Sequence, residues 1–228
     1  MSISSRSCGR TTSPGSVLGR AHRAAALLLV GALAAACTVG EGQGFVSSKK
    51  LHVDNCWDGP FDLYPDFFAA NPDSRNALAI RVQRGDNIAE QSDGLHVLVT
   101  ELQDLRARLE EPLAVGLPRG VSPPGVPIQY QSDPPKVSLA LYLHNSCHAE
   151  AATVYSLSGQ ITFHALFSGN PNEGNAENRL TSAEFTDVVF GDPRRVTGNA
   201  EQDAASQSLV SGKFSFYFQR GQPAQPFP

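Results

Sequence analysis

A chain of 228 residues with 18 basic and 22 acidic side chains carries a formal net charge of −4, and its basic residues are mostly scattered arginines rather than a cluster. That balance excludes a nucleic-acid surface, which needs grouped cations to displace counterions from phosphate. Hydrophobic residues at 41% and charged residues at 18% fit a globular body with a polar, largely uncharged surface, and the length fits one domain with a sizeable core.

Residues 1–36 hold Arg6, Arg10, Arg20 and Arg23 and no acid, and from Ala24 the run "AAALLLVGALAAA" leads into Cys37. Basic residues, then a short apolar run, then small residues at a junction, make the order of a secretory signal peptide. The apolar run is shorter than the roughly 20 residues that a membrane-crossing helix requires, so residues 1–36 are expected to be removed on export. The remainder has 14 basic and 22 acidic residues, a formal net of −8, which opposes adhesion to an anionic surface.

Ala34, Ala35, Ala36 and Cys37 together resemble the lipobox of bacterial lipoproteins, in which the cysteine is acylated and becomes the new N-terminus; Ala34 stands where that family usually has leucine. Residues 20 to 40 carry the likeness, which is to envelope lipoproteins of Gram-negative bacteria of the myxobacterial type. It implies lipidation of Cys37, palmitate among the acyl chains, and the membrane as a partner through that lipid. Thr38 occupies the place of an aspartate retention signal, so the likeness implies the outer membrane. Ordinary cleavage after Ala36 would leave a secreted, soluble protein instead.

Cys8 lies in the segment to be removed and Cys37 at its junction, leaving Cys56 and Cys147 in the exported body. In an oxidising compartment such a pair is expected to form a disulfide.

Residues 37–50, rich in Gly and Ser, are expected to be a flexible tether, and 51–228 a single β-sandwich domain. Period-two alternation runs through the body. In "ALAIRVQRG" Leu78, Ile80 and Val82 share a face, and in "GLHVLVTEL" Leu95, Val97 and Val99 oppose His96. A short helix near 101–110 is suggested by Leu102, Leu105 and Leu109, with Pro112 to stop it. The Pro- and Gly-rich stretch 112–136 reads as a long extended loop.

"KVSLALYLH" is the clearest strand. "SGQITFHALF", "AEFTDVVFGDP" and "SGKFSFYFQRG" follow, the first and last sharing Ser-Gly-x-apolar-x-Phe from Ser158 and Ser211. Short strands with one apolar face each, joined by Pro- and Gly-rich loops, call for an all-β fold, an antiparallel β-sandwich.

Two groups of side chains could carry chemistry. Trp57 among Asp54, Asp58, Asp62 and Asp66 could stack on a sugar or, through the carboxylates, gather calcium; Trp57, Asp54 and Asp58 are the candidate ligand-binding residues. His144 and His148 flank Cys147, but they end a strand rather than share a helix face, and they lack the glutamate and third ligand of a zinc site. No nucleophile motif appears in the body. The expectation is therefore a non-enzymatic, membrane-anchored envelope protein with no metal and no cofactor, binding another envelope protein or a glycan. A carbohydrate- or calcium-binding module and a metal-dependent hydrolase around His144 and His148 are the alternatives.

Overall fold

The computed structural model describes residues 41–74, 76–85, 92–121, 123, 135–147, 152–176 and 179–219. All of them fall in one compact unit, Cys37–Pro228. The expected signal peptide, Cys37 and His148 lie outside the described residues, as does most of the stretch 122–134.

The fold is all-β. Its strands are β1 (Gly42–Val53), β2 (Trp57–Leu63), β3 (Phe67–Ser74), β4 (Ala77–Gln83), β5 (Asp93–Thr100), β6 (Pro112–Ala114), β7 (Val137–Leu143), β8 (Thr153–Ser158), β9 (Gln160–Ala165), β10 (Leu180–Gly191) and β11 (Ser208–Tyr217). They form one sheet, in the order β2-β1-β11-β10-β8-β7-β5-β4-β3, with β9 beside β10 and β6 beside β9. Every pairing between these strands is antiparallel.

The sandwich expectation is corrected on one point: the apolar faces meet within a single continuous sheet rather than between two separately bonded ones. Phe68 of β3, at one end of the hydrogen-bonded path, has its ring 5.7 Å from that of Phe216 in β11, near the other end. The sheet therefore curls over until its ends face each other. Leu78, Ile80, Val82, Leu95, Val97 and Val99 then share one core with Val46, Phe185 and Phe214.

The alternation read from sequence places β4, β5, β7, β9 and β11 correctly. The tether does not survive, because β1 begins at Gly42. Glycine there permits close packing rather than freedom: a Cβ on Gly42 would sit 2.6 Å from the Phe68 ring. β1 also carries a bulge between Ser48 and Leu51, which moves its buried positions from Val46 and Ser48 to Leu51 and Val53. That shift hides the period-two signal. β3 hides for another reason, since Phe67, Phe68, Ala69 and Ala70 are buried one after another on both faces.

The expected helix is present as α1 (Leu102–Arg106), which buries Leu102 and Leu105, while Leu109 remains outside at 36% exposure. A second helix, α2 (Ala200–Ser206), is capped by the Asn199 side chain and shows no apolar stripe. The two strands that share the Ser-Gly opening, β9 and β11, both pair with β10, where Phe185 lies opposite Ile161 on one side and Gly212 on the other.

Candidate functional site

The turn between β1 and β2 is Asp54-Asn55-Cys56. Asn55 takes a left-handed conformation, φ 54°, and the Cys56 N–H closes the turn on the Val53 carbonyl at 3.0 Å. A second turn follows β7, where the Cys147 N–H donates to the Leu143 carbonyl at 2.9 Å. The two turns are joined by the Cys56–Cys147 disulfide, with Cα atoms 5.4 Å apart. β2 thus starts at the end of β7, and three residues separate its last residue from β3. The Asp66 N–H fixes that corner by donating to the Gln83 carbonyl at the end of β4, at 3.1 Å. β2 accordingly leads from the end of β7 to the corner where β4 ends and β3 begins.

Around this turn lies a charged network. His52 places Nε2 3.1 Å from Asp54 Oδ1 and Nδ1 3.7 Å from Asp58 Oδ1, and Arg195 pairs with Asp54. Beside it, on the turn after β10, the Arg194 guanidinium grips Asp192 at 2.8 Å. Burial pushes the Asp192 carboxyl up, but the side-chain and backbone hydrogen bonds from Arg194 and the charges of both arginines hold it below its ordinary value. The network ties the β1–β2 turn to the connection between β10 and β11.

Trp57, Asp54 and Asp58 are thus brought to one end of the sheet, beside the disulfide. Their surroundings differ from those of an open sugar or calcium site. The Trp57 indole donates to the Pro60 carbonyl at 3.2 Å, meets Phe61 edge-on at 5.7 Å and packs on the core. The Asp54 carboxylate faces a guanidinium and an imidazole, so a calcium ion would have to displace Arg195 to gain it. Asp58 and Asp62 share the outward face of β2, while the Asp66 carboxylate accepts from the Gly85 N–H. Among the described residues, no group of three or more His, Cys, Asp or Glu is arranged to hold a metal.

His144 comes directly after β7 and meets the Tyr142 ring at a tilt of 46°, with ring centres 5.1 Å apart. Burial draws its imidazole below the usual histidine value, opposed by the charge of Asp93. The Asp93 carboxylate itself holds the turn, accepting from the Asn145 and Ser146 N–H groups at 2.9 and 3.0 Å.

Next to this turn is a polar layer that sequence reasoning missed. On the face of β4, β5 and β7 opposite the main core, Gln83 lies level with Gly94 and Tyr142, and Arg81 with His96 and Ala140. Arg81, Gln83 and Tyr142 are buried. The Tyr142 hydroxyl donates to Gln83 Oε1 at 3.1 Å, and Gln83 Nε2 donates on to the Gly85 carbonyl at 2.8 Å. Tyr142 can lie flat across β5 only because position 94 is glycine: a Cβ there would stand 2.7 Å from Gln83 Cβ and nearer still to the hydroxyl. Burial lowers His96 to about 4, helped by the Arg81 charge beside it. It also raises the Tyr142 phenol. The alternation put Arg81 and His96 opposite the core, but alternation says nothing about whether that opposite face meets water.

No protein-family model, no curated protein and no solved structure matches this chain.

Proposed function

We propose that the protein is a lipid-anchored component of the cell envelope, held at the outer membrane through Cys37, and that it works by binding another envelope component rather than by catalysis. The Cys56–Cys147 bridge carries this reading, because disulfides form and persist in the oxidising compartments that exported proteins reach. The signal-like order of residues 1–36 and the cysteine at its junction add a means of export and an anchor. Two or more acyl chains hold a protein to a bilayer durably, where one does so only marginally.

The test is fractionation with labelled palmitate. Wild-type protein should incorporate the label and sediment with membranes, whereas Cys37→Ser should incorporate none and appear in the soluble fraction. Retention of the Cys37→Ser protein in the membrane fraction would overturn the anchor.

A further inference from the structure

Resting on the anchor reading, we infer that the end of the sheet where β1 begins lies against the bilayer, with Tyr64 and Tyr217 at the level of the lipid headgroups. The first ground is length. From Cys37 to Gly42 the chain advances by five residues, a reach of at most about 18 Å when fully extended. Crossing the headgroup layer takes roughly 5–8 Å of that. β1 itself has 12 residues and extends about 40 Å, so an acylated Cys37 holds the Gly42 end close to the membrane while the disulfide end can stand well away from it.

The second ground is what that end displays. Gly42 pairs with Phe216, which places Tyr217 level with the start of β1. Leu63 pairs with Val46, which places Tyr64 alongside Phe45 in the same half of the strand. Tyr64 is 72% exposed and Tyr217 55%. The half-buried Phe45 ring lies beneath the Lys213 ammonium at 5.6 Å. Tyrosine favours the membrane–water interface because its ring is apolar and its hydroxyl stays wet. Exposed Glu41 and Asp62 flank the aromatics, so zwitterionic headgroups fit this surface better than anionic ones.

The sole tryptophan, Trp57, pairs with Val53 at the far end of β1 and supplies a built-in reference. Acylated protein is reconstituted in vesicles of phosphatidylethanolamine with a minority of phosphatidylglycerol, part of the lipid being brominated near the headgroup to quench tryptophan fluorescence. Tyr64→Trp, Tyr217→Trp and, at the far end of β11, Leu209→Trp are each made with Trp57 retained. Quenching should rise about twofold over wild type for Tyr64→Trp and Tyr217→Trp, as expected of indoles at the interface, and not rise for Leu209→Trp. Wild-type protein that floats with the vesicles while all three variants quench alike, or while neither tyrosine variant gains quenching, overturns the orientation and leaves the anchor standing. A protein partner covering this end would give that same result. Wild-type protein that does not float with the vesicles overturns both.

Discussion

His96 lies between Arg81 and Ala140 in the register of β4, β5 and β7, and its place opposite Leu95 and Val97 is legible from alternation alone. Its titration is not, because that depends on which segments close over the outer face. In the fold the imidazole titrates at about 4, against about 6.5 in an unfolded chain. Between these values the unfolded chain binds the additional proton, so stability is complete above pH 6.5 or so and falls as pH drops toward 4. The expected loss is about 2 kcal/mol, less than the full linkage value since water partly screens the ring. Urea denaturation of wild type and His96→Leu across pH 4 to 7 checks this: the variant should lose most of the pH dependence in that window.

Elements divide into those that show themselves locally and those that do not. β11 is legible because one face is core and the other is not; β7 is legible because Val137, Leu139, Leu141 and Leu143 alternate in residue type with Ser138, Ala140 and Tyr142, although both of its faces are buried. β2 is not among the strands expected from sequence: the aspartate spacing suggests a ligand loop, although Phe61 and Leu63 are buried and Asp62 between them is exposed. In the sheet, the outward face of β2 has a different role. As a terminal strand it presents unpaired backbone, and Pro60, Asp58 and Asp62 blunt that edge against another chain. The double variant Pro60→Val/Asp62→Val should leave the fold intact and increase aggregation, read by light scattering during a concentration series. The turn before β2 is held differently, by a disulfide joining residues 91 positions apart. Replacing both cysteines by serine should cost about 4.6 kcal/mol in the chain-entropy account. Denaturation of wild type under reducing conditions should converge on the same midpoint, which separates the loss of the bond from the effect of the serines.

Closure of the whole molecule depends on contacts between strands that are far apart in the sheet order. Phe68 of β3 and Phe216 of β11 meet across the core. Phe68→Ala removes a fully buried ring at the point where the two ends of the sheet face each other, and should destabilise by about 3–5 kcal/mol. Leu209→Ala, on the exposed side of β11, should change stability by less than about 0.5 kcal/mol. Equal effects on the urea midpoint would refute the curled arrangement.

The amino-acid sequence determined the all-β class, most of the one-face-buried strands, the short helix after β5 and the pairing of Cys56 with Cys147, because each follows from a local period or from cysteine chemistry. Only the tertiary structure decided that the strands form one curled sheet, that Gly42 begins a strand, and that Arg81, Gln83 and Tyr142 are buried. Those outcomes depend on what faces each residue across the fold: a glycine reads as a flexible linker until a phenylalanine ring lies against it, and an outward side chain reads as solvated until another part of the molecule excludes the water.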